Sequence, residues 1–467
     1  MDAPEPLNQK ILIIIMVDMK KSVSADMTSG NLRTQIITFA FPIFLGNLFQ
    51  LFYNTADSFI VGNYIGPEAL AAVSSTGALI SILVGFFQGF SVGAGIVTAR
   101  NIGKHEEESI QKSVHTSAAM GLVLTLLISV LGVLISEPIL KLMNTPGDIL
   151  PEAAAYLRIY FAGSAGLIMY NMFVGTLQAA GDSRNPLYYL IISSLLNIVL
   201  DIVFIRNFHL GVAGAAYATV LTQAISALLA MANLMHRKDS IHLRLRSIGF
   251  DRVILKQMIR LGLPTAAQGC IIDFSNMLIQ SYINSFGSAA VAGIGVSARV
   301  ESLTFLPTTA FSMAVSTFVS QNIGAGKKDR AYQGIRFCLL LCMVMTEVLS
   351  ILIYAEAGQL ISLFTEDPEV IAFGTERART VCLFSFLAAF TNVSSEAVLG
   401  LGKAMTPMAI VSICWCAVRV AVLFTIGQVF HFIELVFWIY PITWTLSSIV
   451  YLLVYRKLQV PLYERQK

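Results

Sequence analysis

The sequence predicts an all-α integral membrane fold: twelve transmembrane helices in two pseudo-symmetric six-helix lobes. Three observations predict it. Hydrophobic residues make up 56% of the chain and charged ones 13%, against about 45–50% and about 25% in globular proteins, and the mean hydropathy is +0.72. Twelve apolar stretches can be drawn, each near the ~20 residues that a spanning helix needs. Finally, one offset of 221 positions carries residues 66–186 onto the second half without a gap. It brings Gly66 to Gly287, Phe90-Ser91 to Phe311-Ser312, Asn101-Ile102-Gly103 to Asn322-Ile323-Gly324, Asn171 to Asn392, Gly181 to Gly402 and Pro186 to Pro407. A constant offset over such a length means two copies of one unit.

In chain order, residues 1–30 are expected to form a cytoplasmic extension without fixed order. Its apolar run Ile11–Val17 is too short to span. Asp2 and Glu5 ahead of it, with no small-residue cleavage site, do not make a signal peptide, and Met19 or Met27 could be the start codon. The first lobe is read over 31–236. Its spans are 34–61, with Pro42, Gln50, Tyr53 and Asp57; 69–98, whose Gly85 and Gly89 are weak close-packing signals; 113–136; 152–180; 186–206, with Asn197 and Asp201; and 211–235, with Thr219. Residues 237–252 are too few to bury a core. They read as a cytoplasmic linker whose basic residues anchor the chain rather than select a lipid. The second lobe, 253–456, holds spans at 253–285, with Pro264 and Asp273, 288–320, 332–355, 370–400, 406–428 and 431–455, before a cytoplasmic tail at 457–467. Several exceed 25 residues, which allows tilt.

Lys and Arg in the short loops set the orientation. One side carries Arg33, Arg100, Lys104, Lys112, Arg184, the basic linker, Lys327, Lys328, Arg330, Lys403 and the tail; the other has Lys141, Arg158, Arg206, Arg377 and Arg379. Both termini are therefore expected in the cytoplasm. Six spans per copy bring both copies in from the same side, so the repeats are parallel.

The net charge of +3 gives no case for a nucleic-acid partner. All six cysteines fall in apolar segments, where small packing residues are the default, and the scattered histidines form no zinc constellation. No cofactor is expected, and no metal beyond a Na⁺ at the coupling site if that is the coupling ion.

Ionisable groups at bilayer depth are costly and usually functional. Tyr53 and Asp57 lie four apart, as do Asn197 and Asp201, so each pair shares a helix face. With Thr219 these residues can form an oxygen-rich site for H⁺ or Na⁺, since two carboxylates held close cannot both ionise cheaply. The bland alternative puts Asp201, near Arg206, at the outer interface. In the second half none of the buried charges repeats. Asp273 or Glu301 is expected to pair with Arg299, and Glu347 or Glu396 with Arg419. Mid-helix prolines break the backbone ladder, at Pro42 and at Pro264, equivalent within one residue. Pro42 precedes Asp57 by about 22 Å at ~1.5 Å per residue.

Leu51-Phe-Tyr-Asn-Thr-Ala-Asp57-Ser-Phe-Ile-Val-Gly62, followed by Gly66-Pro-Glu-Ala-Leu-Ala-Ala-Val73, resembles the first-to-second-helix signature of multidrug and toxin extrusion (MATE) transporters. The resemblance runs from about Arg33 to Arg456 and includes Gly181-Asp-Ser-Arg-Asn-Pro186 and Gly402-Lys-Ala-Met-Thr-Pro407. Asn197-Ile-Val-Leu-Asp201, Thr219, Pro42, Gln50 and Asp57 are similar to the DinF-like prokaryotic branch. That resemblance implies a cation-coupling site at Asp57, Asn197, Asp201 and Thr219, a bend of the first helix at Pro42, and a drug contact at Gln50. The NorM-like branch instead uses carboxylates in the seventh and tenth helices; Asp273 falls near the first of these, but the tenth-helix position is Phe390 or a neighbour, not an acid.

The reading is thus a monomeric inner-membrane antiporter, not an enzyme, that exports amphipathic and often cationic drugs and toxins against inward H⁺ or Na⁺. Gln50, Tyr53, Asn171, Asn392 and Asp273 are expected to line the substrate cavity, with hinges at Pro42 and Pro264. The alternatives are a dedicated metabolite exporter or importer, and a lipid-linked-sugar flippase, which usually adds two helices and a strongly cationic cavity.

Overall fold

The computed structural model describes residues 26–64, 67–143 and 145–461; the side chains of 54–64, 67–72, 74, 75 and 78 lie outside the description. We number the spans α1–α12. In the first half they are α1 (Leu32–Tyr64), α2 (Pro67–Gly103), α3 (Glu107–Leu142), α4 (Leu150–Ala162 and Ser164–Ala179), α5 (Arg184–Ile202, prolonged by a π turn Val203–Asn207) and α6 (Gly211–His236). The second half has α7 (Arg252–Asn284), α8 (Ser288–Gly324), α9 (Lys328–Ser362), α10 (Pro368–Cys382 and Ser385–Gly400), α11 (Met405–Val411, a π turn Ser412–Ala417, and Val418–Phe430) and α12 (Glu434–Lys457). Every expected span is present. The main difference is length: α2, α3, α8 and α9 run several residues past their predicted ends, because polar terminal turns continue a helix that hydropathy alone would stop.

Three helix starts are set by side-chain acceptors that take orphan N–H groups. Asn31 Oδ1 accepts from Arg33 N at 3.0 Å at the head of α1. Asp251 Oδ1 accepts from Val253 N and Ile254 N, both at 3.0 Å, before α7. Asp367, followed by Pro368, accepts from Glu369 N at 2.9 Å before α10. The turns after α4 and α10 need left-handed backbone, which Gly181 (φ 80°) and Gly402 (φ 87°) supply at equivalent points of the repeat.

Among the described residues, nine helices are long and apolar enough to cross a membrane, and the two broken helices α4 and α10 also qualify when each is taken as one span. Of the twelve, α7 falls short: its first turns carry Arg252, Lys256 and Arg260, and Gln268, Asp273 and Asn276 keep the rest of it polar. The two broken spans bend by 46° and 55°, at Gly163 and at Leu383–Phe384. These sites correspond under the 221-residue offset. Gly163 is required in its copy, because a Cβ there would lie 2.1 Å from Val220 Cγ1.

Residues divide into two compact units, one comprising Phe41–Ile259 and the other Thr28–Ala40 with Arg260 onward. In the first, Ile110, Val114, Phe173, Leu177 and Leu234 form a core with the linker residues Ile241 and Leu243. The expected linker is therefore strapped to its own lobe. Gln111 Nε2 donates to Ser240 O at 2.7 Å, Arg244 N donates to His115 Nε2 at 3.0 Å, and Asp251 N donates to Thr116 Oγ1 at 3.1 Å. Arg237 Nη1 lies 2.8 Å from Asp182 Oδ2 in an ion pair with both side chains 5% exposed.

In the second unit, α8 and α10 cross so closely that a Cβ on Gly293 would lie 2.6 Å from Val370 O. The expectation of a poorly ordered 1–30 lies outside the described residues as far as residue 25. Within residues 26–30, Met27 is buried, and Lys327 Nζ and Arg330 Nη1 donate to the carbonyls of Thr28 and Gly30, each at 2.8 Å. Both units carry apolar outer stripes at matching positions: Val123, Leu127 and Leu131 on α3, Val344, Val348 and Leu352 on α9, all exposed. Apolar surface of this extent marks contact with lipid.

Candidate functional site

The first-lobe constellation assembles on α5 and α6. Asn197 and Asp201 sit one turn apart on α5, 1% and 0% exposed. With its nitrogen turned to the carboxylate, the Asn197 amide donates to Asp201 Oδ2 at 2.7 Å, and its oxygen accepts from Thr219 N at 3.3 Å. One amide therefore bridges a carboxylate on α5 to the middle of α6. The Thr219 hydroxyl donates to Ala215 O at 3.0 Å within its own helix. Full burial argues against the interfacial reading of Asp201, and Arg206 is exposed. Directly after Asp201 the helix widens into the π turn Val203–Asn207. Single π insertions in α-helices occur frequently at functional sites.

Asp57 lies within α1, but its side chain is outside the described residues. Gln50, Tyr53 and Asp57 fall at i, i+3 and i+7, on one face of that helix. Gln50 is exposed, Tyr53 half-buried and Pro42 buried. Asn171 and Asn392, both half-buried, make the same contact in their two lobes: each Nδ2 donates to the carbonyl four residues earlier, Leu167 O at 2.8 Å and Ala388 O at 2.9 Å. Asp273 is half-buried on α7, and Pro264 is buried in the same helix.

The second lobe's charges pair differently from the sequence expectation. Glu301 bonds Arg377, with Oε1 2.6 Å from Nη1 and both side chains 6% exposed, and Ser297 Oγ donates to the same oxygen at 2.6 Å. Arg299, its expected partner, is exposed. Arg377, counted among the outer-side cations within the expected span 370–400, is buried in α10. Arg419 pairs with neither Glu347 nor Glu396. Its guanidinium lies over the rings of Trp415 at 5.2 Å and Tyr440 at 4.7 Å. The i,i+4 spacing of Ser297 and Glu301 was the one available signal for the Glu301 site; nothing in the local sequence pointed to Arg377.

A family model described as MatE matches residues 42–203 and again 264–425, one match in each repeat, the two starting at Pro42 and Pro264. The chain belongs to the MatE family. It is thus a member of a multi-pass membrane transporter family, the MATE multidrug efflux transporters, and not of an enzyme family. It is similar, at 30% identity over 459 residues, to the "Probable multidrug resistance protein YoeA" of Bacillus subtilis, covering 95% of this chain and 97% of that one. It is also similar, at 27% over 355 residues, to the "FAD transporter" of Shewanella oneidensis, covering 74% of this chain and 77% of that one. Among solved structures, an outward-facing multidrug resistance MATE family transporter superposes with a TM-score of 0.85 at 24% identity, over 93% of this chain and 97% of that one. The MatE fold thus accounts for the twelve spans in two lobes.

Proposed function

We propose that this MatE protein is a cation-coupled exporter of amphipathic, often cationic compounds, working by alternating access in the cytoplasmic membrane with both termini inside the cell. The observation that carries the reading is the buried Asn197–Asp201–Thr219 constellation. A carboxylate at this depth is costly and is held by a neutral amide, an arrangement suited to taking up and releasing H⁺ or coordinating Na⁺. Asp57 joins it by resemblance. Gln50 and Tyr53, on the same face of α1 as Asp57, together with Asn171, Asn392 and Asp273, are the substrate contacts in this reading. An export pump requires that ion and drug favour different states or compete, which a shared helix α1 would provide.

Similarity to the YoeA protein supports drug efflux, whereas similarity to the FAD transporter supports a second reading, a dedicated metabolite carrier. Ethidium efflux from proteoliposomes, with inward pH and Na⁺ gradients imposed separately, decides the ion. Efflux driven by neither gradient would exclude antiport and leave the metabolite reading.

A further inference from the structure

The second lobe contains a buried cation with no counter-charge among the described residues. Arg419 is 2% exposed and sits within the span Met405–Phe430, about 16 Å from its nearer end at ~1.5 Å per residue. Its Nε donates to Thr443 Oγ1 at 3.3 Å and its Nη1 to Asn276 Oδ1 at 3.5 Å. Both contacts are neutral and long. A guanidinium has five N–H donors, and among the described residues no carboxylate, Asp273 included, comes within 4.0 Å of this one. Glu301, in the same lobe, is engaged by Arg377.

The surroundings hold this cation in place rather than neutralise it. The π turn Ser412–Ala417 precedes it, and Ser275 Oγ from α7 donates to the Trp415 carbonyl at 2.9 Å. Trp415 Nε1 donates to Ser447 Oγ at 3.1 Å, which fixes the ring. Trp415 and Tyr440 both stack on the guanidinium, whose N–H edge is the part that recognises planar oxyanions in bidentate fashion. Asn276, at that edge, is exposed.

The internal repeat supplies an independent observation. Beyond residues 66–186 the repeat holds to within one residue, as at Pro42 and Pro264, and brings Tyr440 to Ala218–Thr219, Asn276 to Asn54–Thr55 and Arg419 to Asn197–Ile198. The equivalent helices α5 and α11 thus carry opposite charges, Asp201 and Arg419, within about a turn of the same level and each next to a π turn.

We propose that Arg419 receives an anionic group of a transported amphipath, a carboxylate, sulfonate or phosphate borne on an aromatic frame. This makes the second lobe an anion site where the first is a cation site. The proposal rests on the exporter reading and extends its substrates to anions and zwitterions.

Fluorescein and rhodamine 6G share a ring system and differ in charge, so they form a matched pair of probes. Binding of each to the full-length protein in nanodiscs is measured by fluorescence anisotropy. Wild type binds both. Arg419→Gln weakens fluorescein about tenfold or more, the range expected for a lost hydrogen bond to a charged group, while rhodamine 6G changes less than about twofold and Arg419→Lys falls between. Equal fluorescein affinity in wild type and Arg419→Gln overturns the proposal, as does wild type that binds rhodamine 6G but not fluorescein. Absence of binding by either dye counts against the exporter reading instead. Should Arg419→Gln fail to fold, phenylglyoxal labelling of wild type followed by mass spectrometry still decides. Fluorescein should protect Arg419; an unprotected or wholly unreactive Arg419 overturns the site.

Discussion

The Asn197 amide nitrogen lies 2.7 Å from Asp201 Oδ2, one turn away on α5, while its oxygen receives the Thr219 N–H of α6 at 3.3 Å. Changing the charge on Asp201 must therefore be felt by both helices through one side chain. Groups joined in this way do not act additively. Asp201→Asn is expected to abolish gradient-driven ethidium efflux in proteoliposomes, and adding Asn197→Ala or Asp57→Asn should then cost almost nothing more. Losses that multiply across the single and double variants would separate these residues into independent roles.

Glu301 and Arg377 make the opposite case, an ion pair complete in itself. Replacing Glu301 by Gln strands a buried guanidinium, at a cost of about 3–5 kcal/mol, whereas replacing both partners by apolar residues is often near neutral. Thermal unfolding followed by tryptophan fluorescence should place Glu301→Gln well below wild type, with the Glu301→Leu, Arg377→Met double variant recovering most of the difference. A single variant as stable as wild type would mean that the pair contributes little.

The spans and the Asn197–Asp201 contact were legible in the sequence for one physical reason each. Backbone groups in hydrocarbon must be satisfied within the segment, so a long apolar run can only be a helix. Residues four apart on a helix must stack, which brought Asn197 to Asp201. The Glu301–Arg377 pair was not legible, since its members are 76 positions apart on different helices. Counting Lys and Arg near span ends treats a buried arginine and a loop arginine alike, and so gave no sign that Arg377 is buried. The π turns beside Asp201 and Arg419 leave hydropathy unchanged and give no signal at all.

The linker strapped to the first lobe offers a prediction that does not involve transport. Asp182 holds Arg237 at the start of the linker, and Ile241 and Leu243 are buried behind it. Asp182→Ala should free this segment locally while leaving the helices intact. Trypsin cleavage after the exposed Arg244 and Arg246 is expected to quicken about tenfold, the factor that ~1.4 kcal/mol of lost local stability gives. An unchanged cleavage rate would assign the strap to its apolar contacts alone.

Pro42 is buried within α1, and the division between the two compact units falls between Ala40 and Phe41, immediately before it. Proline there removes one backbone donor and crowds the carbonyl of Thr38, so the helix is weakest at the point where its affiliation changes. Neutralising Asp57 removes a charge from the same helix. We predict that this lets α1 change shape at Pro42 and so couples ion uptake to drug release. Spin labels at Thr34 and Leu51, on either side of the proline, should report a distance several ångströms shorter at low pH than at high pH. Asp57→Asn should hold the low-pH distance throughout, and Pro42→Ala should abolish the change and slow ethidium efflux. If the distance is independent of pH and Pro42→Ala transports normally, the proline is a static packing feature and the coupling runs through another element.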